Sequence, residues 1–375
     1  MHSDVGVSLR VVQGGGWTRI DDREQGGIVR VASIPGDGIG QEVIPVAEEV
    51  MAAACERAGT SVEFQHFEWS AEKLGSSGVG LPVGWQSEIG VVDGILLGAI
   101  GHNSVADAVS LWELLLPIRR ELNQYVNVRP IRSLRDGLGP LKKAVDVDMV
   151  IVRENVEGEY TEVGGSQYKG RADELVVQAG VFTRRGVERC IRFGFELARR
   201  RRGNLVSATK SNGLRYSMPF WDRVIAEVSD EYSDVAVRSM HVDALAARMI
   251  QAPEEFDVVV ASNLFGDILS DLGAALVGGL GVAASANVNP TGQWPSMYEP
   301  VHGSAPDIAA RGMANPMAAV MAGALLCEGI GLSKAARLME TAVRNVVVGG
   351  NNLPRDMGGK CTTKEVGEAI IAALA

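Results

Sequence analysis

From Ile28 onward the chain alternates short β-branched runs with amphipathic helical stretches, and this rhythm limits its fold more than any other feature. IVRVASI reads as a strand, and QEVIPVAEEVMAAACERAG as a helix whose apolar residues return every three or four positions. DGILLGAI is a second buried strand, LWELLLPIRREL a helix, and YVNVRP an extended piece stopped by Pro130. DMVIVRE, NLVSATK, DVAVRSM and FDVVVAS are further strands, mostly separated by helices such as RRGVERCIRFGFELARRRRG. Alternation of this kind means an α/β fold with a largely parallel sheet. At about 100–200 residues per domain, the 375 residues allow two domains.

The stretch from Glu154 to Ala179 breaks the rhythm, being polar and Gly-rich, and reads as a hairpin arm of the kind that pairs with a partner subunit. After Gly278 the chain is rich in Gly, Ala, Asn and Pro through Pro306 and then helical to its end. The first 27 residues are polar, lack the apolar centre of a secretory signal, and read as a flexible extension. No uncharged apolar run reaches the ~18 residues of a membrane span. Cys55, Cys190, Cys327 and Cys361 show no CxxC spacing, which fits reduced thiols in a cytoplasmic protein. A net charge of −10 argues against nucleic acid or membrane partners. An anionic substrate would therefore need a local basic pocket.

Arginines offer that pocket. Arg119 and Arg129 flank ELNQYVNV, and Arg153 ends DMVIVRE, where open parallel sheets bind their ligands. A guanidinium at the mouth of a buried strand calls for an anion and suits a carboxylate. Asp267 and Asp271 stand four apart on one helix face just past FDVVVAS, where a divalent cation would relieve their repulsion. Asp243 could add a third oxygen, and an all-carboxylate set points to Mg²⁺ or Mn²⁺ rather than Zn²⁺. Lys210 ends NLVSATK near these cations, and Tyr160 lies in RENVEGEY; both are candidates for proton transfer. IPGDGIG has G-x-G-x-G spacing, not the G-x-G-x-x-G of a dinucleotide fingerprint. Each motif taken alone also has a plain reading: a tight turn, a solvated charge or a charged helix face.

Together, IPGDGIG, YVNVRP, VRENVEGEY, TKSNG, SNLFGDILSDL and EPVHGSAPDIAARGMANP resemble the β-decarboxylating hydroxyacid dehydrogenases. That family includes the isocitrate, isopropylmalate, homoisocitrate and tartrate/D-malate dehydrogenases. The resemblance runs from Ile28 to the C-terminus, with every block in family order. It implies an isopropylmalate-dehydrogenase-like two-domain α/β/α fold with a mixed, largely parallel sheet, not a Rossmann fold. Residues 28–124 and 278–375 would form a large cofactor-binding domain. Residues 125–277 would form a small dimerisation and substrate domain, with residues 154–179 as its dimer clasp.

The resemblance also implies roles. Arg119, Arg129 and Arg153 would hold the malate carboxylates, and Asp243, Asp267 and Asp271 the Mg²⁺ or Mn²⁺, with K⁺ admitted as an additional ion. Lys210 would take the hydroxyl proton, and Tyr160 would protonate the enolate once CO₂ has left. The site would be shared in a homodimer, with Lys210 and Asp243 supplied by the other chain. Glu299, His302, Gly303, Ser304, Ala305, Asp307 and Asn315 would bind the cofactor, and Asp307 argues for NAD over NADP.

Substrate choice falls to the helix before Arg119. At 3.6 residues per turn, Trp112, Leu115 and Leu116 share a face with Arg119 and would line the pocket around C3. Glu113 stands where isocitrate enzymes have a Ser, and the indole fills room that a branched chain needs. The expected reaction is therefore NAD-dependent oxidation and β-decarboxylation of D-malate or tartrate. A 3-isopropylmalate or other 3-alkylmalate enzyme is the alternative. A non-catalytic subunit is more remote, because such relatives lose the lysine or the metal aspartates.

Overall fold

The computed structural model describes residues 28–141 and 145–374; the extension expected over residues 1–27 lies outside them. Its strands are β1 (Ile28–Gly36), β2 (Ser61–His66), β3 (Gly94–Ala99), β4 (Val126–Arg132), β5 (Asp148–Glu154), β6 (Gly164–Gln167), β7 (Leu175–Gln178), β8 (Asn204–Thr209), β9 (Ala236–His241), β10 (Val258–Ala261), β11 (Ala284–Val288) and β12 (Ser296–Pro300). Among the described residues, ten of these form one sheet in the order β2-β1-β3-β12-β11-β4-β5-β10-β8-β9, and β6 and β7 form a separate hairpin.

Pairings β11–β12, β11–β4 and β4–β5 are antiparallel, and the other pairs in the large sheet are parallel. The sheet is thus mixed and largely parallel, and its order is not that of a Rossmann sheet. The chain builds one half with β1–β3, crosses into the other half from β4 to β10, and returns with β11 and β12. Helices cover both faces, which explains why β3 and β5 are near-continuous apolar runs rather than alternating ones. The Met317–Gly329 helix is apolar around its whole circumference because it is buried against β11, β12 and the Gly40–Ala58 helix.

Four parts of the chain depart from the sequence reading. The Gly-, Ala-, Asn- and Pro-rich stretch from Gly278 to Pro306 contains β11 and β12, and β2 is a strand that the reading does not include. The helix expected over Leu111–Leu122 is two pieces, a π-helical turn at Leu111–Leu115 and an α-helix at Leu116–Glu121. Pro117 has no N–H for the carbonyl of Glu113, so the ladder widens just before it. The arm expected over Glu154–Ala179 is a hairpin, but its strands occupy only its second part, and Glu154 belongs to β5.

Candidate active site

Two elements bring most of the expected groups together. β5 delivers Arg153 at its carboxyl end, and β10 runs parallel beside it, with Ala261 opposite Arg153. The chain then turns into the Asn263–Val277 helix, which lies so close that a Cβ on Gly266 would fall 2.6 Å from the Cβ of Arg153. Only glycine permits that approach, and it sets Asn263 and Asp267 against the guanidinium.

Arg153 donates from Nε and Nη2 to Asn263 Oδ1 at 3.0 and 2.7 Å, and from Nη1 to Asp267. Arg129, on β4, pairs with Asp267 at 3.1 Å and reaches Asp271 Oδ1 at 3.1 Å and Ser270 Oγ at 2.7 Å. The Tyr160 hydroxyl donates to Asp267 Oδ2 at 3.0 Å, and the Arg153 guanidinium lies 5.4 Å from its ring centre. Burial works against the Asp267 charge, yet Arg153 and Arg129 outweigh it and hold its pKa below the ordinary carboxylate value. Burial also raises the Tyr160 pKa, with Asp267 adding to the effect, so the phenol keeps its proton. Arg153, crowded by burial and Arg129, is brought down to about 10. Asp271 is raised by burial and then by Asp267, although its side chain is 53% exposed.

Lys210 and Asp243 form a second cluster. The Lys210 ammonium donates to Asp243 Oδ1 at 2.7 Å just past β8 and β9, whereas the sequence reading expects Lys210 near the arginines. Among the described residues, no three His, Cys, Asp or Glu side chains come together as a cation cluster. Arg119 is buried and answers Glu299 Oε1 at 2.7 Å. Glu299 therefore lies within β12, paired with Arg119, rather than out on the loop.

The following loop carries the remaining residues expected to bind the cofactor. Ala305 has φ +41°, a left-handed conformation costly for an L side chain. His302 is drawn below its ordinary pKa by burial, and its buried Nε2 has no partner. Asp307 and Gly303 are exposed, and Ser304 is buried. Asn315 is occupied by Asp356 at 3.0 Å and by the Met317 N–H at 3.0 Å. IPGDGIG is a tight turn that braces this loop: Ile39 N–H donates to Ser304 O at 2.8 Å, and a Cβ on Gly38 would fall 2.0 Å from that oxygen.

The helical-face argument for Trp112 needs correcting, because the π-turn breaks the 3.6 spacing on which it rests. Trp112 lies 4.9 Å under the Arg120 guanidinium, whose Nη2 donates to Tyr160 O at 2.8 Å. Leu116 is buried, and Leu115 packs on the apolar cluster around Trp85 and Ile118. Sequence reasoning also passes over Asn263, Ser270 and Arg120. Asn263 had one visible signal, a polar amide directly after the apolar run VVVAS.

The family described as isocitrate/isopropylmalate dehydrogenase matches residues 30–370. The D-malate dehydrogenase (decarboxylating) of Escherichia coli strain K12 is 47% identical over 352 residues, covering 91% of this chain and 97% of that protein. The tartrate dehydrogenase/decarboxylase of Pseudomonas putida is 45% identical over 357 residues, covering 92% and 98%. The crystal structure of isocitrate dehydrogenase from Methylococcus capsulatus superposes with a TM-score of 0.83 at 35% identity, covering 92% and 99%. The chain belongs to the isocitrate/isopropylmalate dehydrogenase family.

Proposed function

We propose that the protein oxidises and β-decarboxylates a small 2-hydroxy dicarboxylic acid, D-malate or tartrate first, using NAD and Mg²⁺ or Mn²⁺. The observation that carries this reading is the cluster of Arg129, Arg153, Tyr160 and Asp267, a basic pocket in a chain of net charge −10. The likeness to D-malate and tartrate enzymes supports the substrate class.

The acidic residues fit a hard cation. Asp267 and Asp271 offer oxygens one helical turn apart, and the raised pKa of Asp271 comes mainly from burial, with Asp267 a smaller contribution. When bound, the cation supplies positive charge beside the oxygens on which negative charge grows. Asp243 and Lys210 stand apart from this pair, which supports a site shared with a second copy of the chain. Exposed Leu175, Val176 and Val177 on the hairpin favour a homodimer clasp, and the two halves of the sheet support the division into two domains.

In this reading Arg119, Arg129 and Arg153 orient the substrate carboxylates. Lys210 takes the hydroxyl proton, with Asp243 holding its ammonium form. The Tyr160 phenol, protonated and aimed along Asp267, returns a proton to carbon after CO₂ departs. The loop from Glu299 to Asp307 suits an adenine dinucleotide: His302 Nε2 is buried without a partner, and exposed Asp307 can accept from ribose hydroxyls while repelling a 2′-phosphate.

The test is NAD and NADP reduction against D-malate, tartrate, isocitrate and 3-isopropylmalate with Mn²⁺ present. NAD with D-malate or tartrate should give the highest kcat/KM. Preference for 3-isopropylmalate or NADP, or no turnover with any acid, overturns the corresponding part of the reading.

A further inference from the structure

Asn287 is a buried amide that the proposed chemistry does not use. It sits on β11, opposite Asn127 of β4 on one side and Met297 of β12 on the other, where the two halves of the sheet meet. Asparagine is depleted in strands, and a buried amide is costly unless its hydrogen-bonding capacity is met. Here it is met. Asn287 Nδ2 donates to Glu299 Oε1 at 2.8 Å and to Met297 O at 3.4 Å. Its Oδ1 accepts from Asn127 Nδ2 at 2.9 Å and Asn155 Nδ2 at 3.0 Å. Turning the amide over would set its nitrogen against two N–H donors and its oxygen against a carboxylate, so one orientation is enforced.

The chain of bonds continues at both ends. Glu299 Oε1 also accepts from Arg119 Nη2 at 2.7 Å, and Asn127 Oδ1 accepts from Arg129 Nε at 2.8 Å. Four buried hydrogen bonds thus run Arg119–Glu299–Asn287–Asn127–Arg129, crossing β12, β11 and β4. The relay links two arginines assigned to the substrate with a glutamate at the root of the loop assigned to the cofactor. Packed, hydrogen-bonded networks move between discrete arrangements rather than deforming freely, and their bonds polarise one another.

We infer that Asn287 is a positioning residue that makes binding of the hydroxy dicarboxylate and of the dinucleotide interdependent. A shift of Glu299 on occupation of the loop reaches Arg129 through Asn287 and Asn127, and a carboxylate on the arginines acts in the reverse direction. Linkage requires the two effects to be equal. The inference rests on the assignment of these groups to substrate and NAD under the proposed function.

The experiment measures the NAD dissociation constant calorimetrically on the full chain with Mg²⁺, with and without saturating D-malate or meso-tartrate at a pH too low for turnover. The wild type should show coupling of about tenfold. Asn287→Ser and Asn127→Ser, which cut the relay, should bring the factor to within about twofold of unity, with both ligands still binding. Asn155→Ser removes a buried amide from the same hub but not from the relay, and should keep the wild-type coupling. That control separates coupling from general loss of packing, and Asn127→Asp, which keeps the shape but has no N–H to donate to Asn287 Oδ1, serves if either serine variant fails to fold. Wild-type coupling in both relay variants, or in Asn127→Asp, overturns the role of Asn287, as does equal loss in Asn155→Ser. Failure of the wild type to bind any hydroxy diacid overturns the functional reading instead.

Discussion

Lys210 Nζ lies 2.7 Å from Asp243 Oδ1, while Asp267 and Asp271 are answered by Arg129 on another part of the chain. Groups assigned to one reaction therefore stand in two clusters, and a shared site makes a specific prediction. Lys210→Met and Asp267→Asn should each reduce turnover at least about 100-fold with the fold retained. Mixing the two variants through an unfolding–refolding cycle should return up to about a quarter of wild-type activity, because a mixed dimer holds one intact site. No recovery beyond the sum of the separate variants would refute the shared site.

Chelation gives a second prediction. Asp271 is half-exposed, and its pKa is raised chiefly by burial, with Arg129 opposing and Asp267 adding to the rise. Excess chelator should abolish NAD reduction, and Mn²⁺ or Mg²⁺ should restore it. Undiminished turnover in chelator would count against the metal.

Trp112 and Arg120 make a third. The indole is stacked on Arg120, which in turn holds the Tyr160 carbonyl, so it is tied through Arg120 to the tyrosine segment. Trp112→Ala should shift kcat/KM from D-malate toward 3-alkylmalates by ~1–3 kcal/mol. Parallel loss on every substrate would assign the indole to packing alone.

Glu154 supplies a pH dependence. Burial pushes its pKa from 4.5 up to about 7, against the two backbone N–H groups it accepts. The folded chain thus holds a proton that the unfolded chain has released, so this stabilisation is complete below 4.5 and lost as pH rises to about 7. Glu154→Gln should therefore gain melting temperature relative to wild type between about pH 5 and pH 8, and a constant difference across that window would refute the shift.

Much of this was legible in the residues, but unevenly. β1, β3, β5, β8 and β10 announce themselves because they are buried on both faces and so are runs of Val, Ile and Leu. β11 and β12 are just as central, yet Ser285, Asn287 and Glu299 are buried there by hydrogen bonds, which leave no periodic apolar trace. Arg129, Arg153 and Asp267 stood out as charges beside apolar runs. Asn127 did not, because the meaning of a buried amide depends on partners far away in sequence. The face shared by Trp112 and Arg119 failed for a local reason, since one proline changed the helical pitch.

The pairing of β3 with β12 has a consequence for synthesis of the chain. On the edge of β3 away from β1, Gly94, Ile95 and Leu96 pair with Ser296, Met297 and Tyr298, which leave the ribosome much later. The five strands from β4 to β10 in the sheet can associate as soon as they emerge, whereas β1–β3 must wait with an apolar, unpaired edge. A nascent or truncated chain ending before β11 would expose GILLGA as a template for wrong pairing, so chaperone capture should be strongest at those intermediate lengths.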